Sequence, residues 1–553
     1  MSLPCRAALY FHTLRYLRPA QFWGRVAFRL RCPSPDLRGA PPLRRASGAW
    51  QTPAARRASM LGPAQFRFLN EEGELPSSGG WSLPNLSKLW LYNLHYFDDL
   101  NAAGAQDRGA WHRVLITRWI AENPPSRGVG WEPYPLSLRM VNWVKWTLAG
   151  NPLDAAARHS LAVQVRWLCR RLEYHLLGNH LFANAKALVF AGCCFEGDEA
   201  EEWRRRGLGI LGRELSEQIL PDGGHFERSP MYHAVALEDV LDLLNLTRAF
   251  PGLVPAPVVA TWTETVQRMR RWLAAMCHPD GEIAFFNDAA IDIVPPPAGL
   301  DAYARRLGLP AVASPTEDVT HLSDSGYVRV QQGDLVALLD VAPLGPDYLP
   351  GHAHADTLSF EMSLSSQRVI VNSGTSCYGE GAERLRQRGT AAHSTVTVDG
   401  EDSSQVWGGF RVARRAYPYM HSVAETDESI EIVASHNGYR RLKGKAVHRR
   451  SWKFTAGSLV IHDLILGNFE RAEARFHLHP DVVIDHDDSS DHQLLLLVSS
   501  GRRIRFGVQG ARRFELVDST WHPTFGVSVP SICIVVSFSG QPLTTMIEWG
   551  NNN

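Results

Sequence analysis

The chain has 553 residues, 44% of them hydrophobic, which exceeds one ordinary core and points to two large domains, or about three at most. Its 57 basic and 57 acidic residues balance, which excludes a whole-chain field for gathering nucleic acid or an anionic membrane; a polyanionic ligand would need a local cleft. Cys5, Cys32, Cys169, Cys193, Cys194, Cys277, Cys377 and Cys533 are scattered, with no C-x-x-C pair or short disulfide framework, and suit buried free thiols in a reducing compartment.

Arg6, His12, Arg15 and Arg18 interrupt the apolar start Leu9-Tyr10-Phe11, so the N-terminus lacks signal-peptide character, and no later stretch reads as a transmembrane span. This favours the cytoplasm, with periplasmic or secreted placement by another route left open. Ala7 to Leu30 forms a basic, aromatic amphipathic pattern expected to dock on its own protein rather than on a membrane. Residues 33–65 are rich in Pro, Arg, Ala and Gly, so residues 1–65 read as an amphipathic segment followed by a connecting arm.

Residues 66–300 carry helical periodicity, seen at Trp111 to Ile120, Leu138 to Leu148, Leu161 to Leu177, Leu181 to Phe190, Leu208 to Leu220, Met231 to Leu246 and Val258 to Met276. Breakers such as Asn123-Pro124-Pro125, Gly150-Asn151-Pro152 and Pro221-Asp222-Gly223-Gly224 separate these runs and predict helical hairpins in an array or toroid. Pro295-Pro296-Pro297 reads as the interdomain connection. From 315 to 553 short apolar runs predict strands at 326–330, 335–339, 368–371, 394–398, 458–461, 494–498 and 532–536. The fold class is therefore α+β, with helices first and an antiparallel sheet assembly second.

Four blocks could carry chemistry. Gly178-Asn179-His180-Leu181 places an amide and an imidazole at a helix junction, unless Asn179 simply caps a helix. In the loop from Pro221 to His233, Arg228 could pair with a carboxylate and Tyr232 could exchange a proton, while Ser229-Pro230 also suits a plain helix start. In Gly351-His352-Ala353-His354-Ala355-Asp356, an extended backbone would aim His352, His354 and Asp356 to one side and carry Leu358, Phe360 and Met362 into a core. The fourth block runs from Asn372 through Tyr378, Arg384 and Arg388 to His393.

Together with Leu91-Tyr92-Asn93-Leu94-His95-Tyr96-Phe97 and Trp131-Glu132-Pro133-Tyr134-Pro135-Leu136-Ser137-Leu138-Arg139, these blocks resemble the heparinase II/III family of polysaccharide lyases over most of the chain. The resemblance implies an incomplete α/α toroid followed by an antiparallel β-sandwich, and β-elimination at a uronic acid in a polysaccharide or oligosaccharide. It matches Asn179 to a carboxylate-neutralising Asn, His180 to its cleft neighbour, and Tyr232 and His352 to the acid–base pair. Trp131, Arg139, Arg228, Tyr378 and Arg388 are the expected substrate contacts. The resemblance also implies a zinc on the sheet domain: His354 and His393 match its histidines, but Asn372 stands at the Asp position. A neutral amide is a weaker ligand, so any zinc is expected to be weakly held and structural. Ala183, beside Asn184, stands where some relatives carry a Glu. A metal-dependent glycan hydrolase and a non-catalytic glycan-binding protein are the rival readings; no organic cofactor and no nucleic-acid partner are expected.

Overall fold

The computed structural model describes residues 3–490 and 492–550; the side chains of residues 3–5, Cys5 included, and of 486–490 lie outside the description. Helices α1 (Leu3–Leu14) and α2 (Pro19–Leu30) come first, and an extended arm and a small hairpin, Gln65–Phe68 with Glu71–Glu74, lead into the helical body. That body comprises α3 (Lys88–Tyr96), α4 (Gly109–Glu122), α5 (Pro133–Leu148), α6 (Ala155–Arg170), α7 (Gly178–Cys194), α8 (Asp198–Gln218), α9 (Pro230–Ala249), α10 (Ala256–Ala275) and α11 (Pro297–Arg306).

Helix α7 is apolar almost all round and nearly every residue is buried, as a central helix requires. Its close packing on α8 depends on glycine: a Cβ at Gly192 would lie 2.5 Å from the Arg204 amide nitrogen, and one at Gly207 2.8 Å from the Ala185 carbonyl oxygen. Trp90, Trp119, Trp143 and Trp262 are fully buried in the same core, so much of the aromatic supply goes to packing.

Among the described residues the second domain holds two large antiparallel sheets. One runs, in spatial order, Arg513–Trp521, Val529–Phe538, Ala472–Leu478, Gln367–Val371, Phe360–Leu364, Leu335–Asp340, Tyr327–Gln332 and Val319–Leu322, with Val396–Val398 also paired to Ala472–Leu478. The other runs Pro418–Glu425, Ile430–His436, Val447–Thr455, Ser458–Leu466, Leu543–Trp549, Arg503–Gln509, Gln493–Leu497 and Val483–Ser490. Phe360, Phe476, Trp452, Ile461 and Phe506 are fully buried in one core shared by the sheets, which is a β-sandwich. The expected toroid-plus-sandwich architecture is thus the observed one.

Three local expectations need correction. The strand after the paired histidines starts only at Phe360, because Leu358 has φ 64° and breaks the extended run; His352 and His354 lie on an irregular entry loop. Pro297 opens α11, whose Leu300, Tyr303 and Ala304 pack into the helical core, so the connection between domains lies after α11 and before Val319. Periodicity carried the helix from Leu161 on to Leu177, whereas α6 ends at Arg170 and an irregular segment leads into α7.

The amphipathic start docks on both domains. Tyr10 packs edge-on against Trp407, the Trp407 indole donates to Thr13, and Arg415 lies over Tyr16, all from the sandwich side. On the helical side Arg18 pairs with Glu217, and Arg171 lies over Phe28 with its guanidinium donating to the Phe28 carbonyl. Phe11, Leu14, Phe22, Trp23 and Leu30 remain exposed. No helix among the described residues is long and apolar enough to cross a membrane. The seven described cysteines are free; Cys193, Cys194 and Cys533 are buried, whereas Cys32 is exposed.

Candidate active site

The site is built around Asp288, a fully buried residue from the segment between α10 and α11. Its Oδ2 accepts from His352 Nδ1 at 2.9 Å, and its Oδ1 from His354 Nε2 at 2.8 Å and from the Thr375 hydroxyl at 3.3 Å. The Arg384 guanidinium grips both oxygens, and the Asp288 amide donates to the His352 carbonyl at 2.9 Å. Burial pushes the Asp288 carboxyl up, but the Arg384 charge and the two histidine hydrogen bonds outweigh it and hold it well below the usual carboxylate range. An ionised Asp288 fixes the tautomers: His352 donates through Nδ1 and keeps its Nε2 lone pair, and His354 donates through Nε2.

The next residue back stitches the domains at the same point. Asn287, at φ 56°, accepts from the His354 amide through its side chain, donates to the Arg228 carbonyl, and donates its own amide to Asp356. Asp356 therefore serves the loop rather than the cleft.

Tyr232 sits in the first turn of α9, which Ser229 caps by accepting the Tyr232 amide. Its ring stacks on His352, and its hydroxyl lies 2.8 Å from that of Tyr378. Burial, then the neighbouring Tyr378 oxygen and Asp288, raise the Tyr232 phenol well above its ordinary value, so it is protonated near neutral pH. Tyr378 is enclosed by Phe410, Phe525 and the Arg384 guanidinium.

Across the cleft, α7 starts at Gly178, making Asn179 a first-turn residue; it does not cap the helix. Among the described residues its amide side chain has no hydrogen-bond partner. His180 meets Glu173 at 3.2 Å through Nδ1, and its ring lies against Tyr134, centroids 4.4 Å apart. Asn184 orients Glu173, accepting its backbone amide at 2.9 Å and donating to its carboxylate at 3.1 Å. His180, Tyr92, Trp131, Trp167, Glu173 and Arg171 line a groove of about 340 Å³ running outward from this helix end.

Tyr232, His352 and Tyr378 thus meet from two domains, and Glu227 lies between His352 and the α7 start that carries Asn179 and His180. Trp131 forms part of the groove wall, its indole spent on the Asn123 carbonyl at 3.1 Å. Arg139 is fully buried, donating to Gln164, the His95 carbonyl and the Gly130 carbonyl with its plane over Trp119. Arg388 is equally buried and donates to the carbonyls of Ala353 and Gly408. Arg228 turns its guanidinium to the Ser325 and Phe226 carbonyls. These three arginines hold loops in place, and the full burial of Arg139 and Arg388 leaves those two no free face toward a substrate.

The residues do not fit a zinc. His354 Nδ1 and His393 Nε2 are 3.3 Å apart, close to the spacing of two imidazoles on a tetrahedral zinc, but the same distance serves a hydrogen bond between them. The third position fails: Asn372 Oδ1 accepts the Ser394 amide at 3.0 Å, and its Nδ2 donates to Phe285 and Ser359. The carboxylate beside His354 is Asp288, already clamped by Arg384. Among the described residues no group of three His, Cys, Asp or Glu side chains is arranged to hold a metal ion.

Sequence reasoning did not single out Asp288, Glu173 or Glu227. Asp288 had a signal: it is a charged residue inside Ile283-Ala284-Phe285-Phe286-Asn287-Asp288-Ala289-Ala290, where burial demands a partner. Glu227 sits inside the block from Pro221 to His233 without standing out from it, and Glu173 falls in the run read as helical up to Leu177.

Two family models match this chain in order, heparinase II/III N-terminus over residues 117–293 and heparinase II/III-like, C-terminal, over 314–550. The chain is similar to a heparin-sulfate lyase of Bacteroides stercoris, 25% identical over 321 residues, which make up 53% of this chain and 45% of that protein. It therefore spans less than half the length of that relative. It is also similar to FtsZ-localized protein C of Caulobacter vibrioides, 27% identical over 428 residues, 71% of this chain and 70% of that one. Heparinase III has a similar structure, with a TM-score of 0.69 at 19% identity over 86% of this chain and 79% of the other, which shows a shared fold.

Proposed function

Because the chain belongs to the heparinase II/III family, we propose that it is a polysaccharide lyase cleaving a uronate-containing glycan by β-elimination in the cleft between its domains. The observation that carries this reading is the stacked Tyr232–His352 pair, held by Asp288 and facing the first turn of α7 with its unengaged Asn179 amide.

The difficulty of the reaction is removal of the weakly acidic C5 proton beside a charged carboxylate. In our reading the Asn179 amide, the adjacent α7 helix end and His180 receive the uronate carboxylate and offset the charge that builds on it. His352 Nε2, left with its lone pair by the Asp288 hydrogen bond, takes the C5 proton. The C5–H electrons form the C4=C5 bond, the bond from C4 to the glycosidic oxygen breaks, and that oxygen takes the Tyr232 phenol proton. Exchange with water restores both groups. Tyr378 orients the phenol, and the aromatic groove beyond His180 holds neighbouring sugars. No step needs a metal.

Screening uronate polysaccharides for ultraviolet-absorbing unsaturated ends tests the reading: such ends support it, and saturated reducing ends refute it. The alternative is a glycan-binding protein that cleaves nothing. Binding without product on the same panel would select it.

A further inference from the structure

Glu227 lies in the loop between α8 and α9, just before Arg228, whose left-handed backbone (φ 58°) turns the chain into the α9 cap. Its side chain is 2% exposed, and among the described residues neither carboxyl oxygen has a hydrogen-bond partner. Such a group opposes folding, and native proteins rarely leave one. The other buried carboxyls around the site are all engaged: Asp288 by Arg384 and two histidines, Asp356 by the Asn287 amide, Glu361 by His278 and the amides of Phe285 and Asn372.

What faces Glu227 gives it a use. Oε2 is 3.8 Å from His352 Nε2, on the ring edge opposite the Asp288 hydrogen bond. Oε1 lies against the first turn of α7, 3.4 Å from where a Cβ on Gly178 would be. The carboxyl is therefore wedged between the imidazole and the helix end that carries Asn179 and His180, too buried to touch substrate itself.

We propose that Glu227 is a positioning residue for the elimination: its carboxyl receives the Nε2–H that forms when His352 takes the C5 proton. This rests on the lyase reading above. Before proton transfer Nε2 is a bare acceptor and Glu227 has nothing to bind; afterwards Nε2 carries a hydrogen, and a small ring shift closes the 3.8 Å gap to a hydrogen bond. The interaction exists only past the ground state, which is the kind that raises turnover rather than affinity. Burial pushes the Glu227 carboxyl up, with the neighbouring His352 and His180 offsetting only part of that rise.

The test uses the full chain with Glu227→Gln and Glu227→Leu. Turnover should fall about tenfold to a hundredfold in Glu227→Gln and further in Glu227→Leu, with KM nearly unchanged and Tm equal or higher. Unchanged turnover, a loss confined to KM, or Tm falling in both variants in step with activity would overturn the proposal. Histidine-selective ¹⁵N NMR supplies a readout without substrate: the His352 signals, identified by their loss in His352→Ala, should shift in Glu227→Gln, and unmoved signals would overturn the contact. Absence of unsaturated product from the unaltered protein would instead defeat the lyase reading, leaving the NMR and Tm arms to decide whether Glu227 holds His352.

Discussion

Tyr232 and His352 come from different domains, yet their rings stack with centroids 3.8 Å apart and planes at 29°. One ring stands on the first turn of α9 and the other on the loop entering a sandwich strand, so this stack exists only when both domains are folded and apposed.

Removing only the phenol oxygen, by Tyr232→Phe, should lower turnover by about two orders of magnitude or more while the stack and KM persist. Tyr378→Phe should cost less, since it removes a partner of the phenol rather than the transferred proton. Initial rates of unsaturated-product formation check both; equal losses would place the proton on Tyr378 as much as on Tyr232.

The two histidines of the entry loop should separate. His352 is partly open to the cleft, so His352→Ala should abolish cleavage with little change in Tm. His354 is sealed and joins Asp288 to His393, so His354→Ala should cost about 1–3 kcal/mol by stranding buried partners. Paired melting and rate measurements decide, and the reverse pattern would exchange the roles.

Acid stability should report the Asp288–Arg384 pair. A carboxyl held low in the folded state contributes stability that is fully present above its unfolded value of about 3.9 and is lost as pH falls through the lower folded value. Arg384→Met removes the charge that holds it down, so acid unfolding should begin at higher pH. The variant should also lose about 3–5 kcal/mol near neutrality, because one buried partner is left uncompensated. An unchanged acid limb in Tm against pH would show that the pair carries no such linkage.

Elemental analysis of the purified protein should give well below one zinc per chain, and chelator should leave Tm unchanged, because Asn372 spends its amide on Ser394, Phe285 and Ser359. Asn372→Asp should raise zinc content by supplying an anionic ligand. One tightly held zinc per unaltered chain would contradict the fit described for this site.

Asn179→Ala discriminates reaction type. If its amide offsets charge developing on the uronate, the variant should lose rate more than affinity, and lose less on methyl-esterified polymer, which lacks that charge. Equal losses on both substrates would argue against carboxylate neutralisation at α7.

Much of the fold was legible because its period and punctuation are strong. The cores of α5, α7, α9 and α10 fall where apolar spacing put them, and apolar runs such as Leu335–Asp340 read directly as buried strands. Strands with one exposed face were harder. Val447–Thr455 reads Val-His-Arg-Arg-Ser-Trp-Lys-Phe-Thr, and only the burial of His448, Arg450, Trp452 and Phe454 on one side reveals the period of two. Arg450 is there because Asp463 on the paired strand neutralises it, a partnership no local pattern announces.

The site was legible where a motif named a residue type and opaque where tertiary contact assigns the work. Tyr232 and His352 meet ring to ring, whereas Arg139 and Arg388 resembled substrate ligands only because an arginine's destination depends on which carbonyls surround it. Asp288 organises the centre from a stretch of apolar residues, and Glu227 acquires meaning only from a ring more than a hundred positions away.

The first thirty residues touch Trp407 and Tyr417 on one lobe and Glu217 and Arg171 on the other. They act as a clasp, and what a clasp transmits is cooperativity: neither lobe can loosen without straining the other. Trimming the chain back to Pro33 should therefore split a single calorimetric transition into two, with the lobes melting on their own schedules although Tyr232 and His352 are both retained.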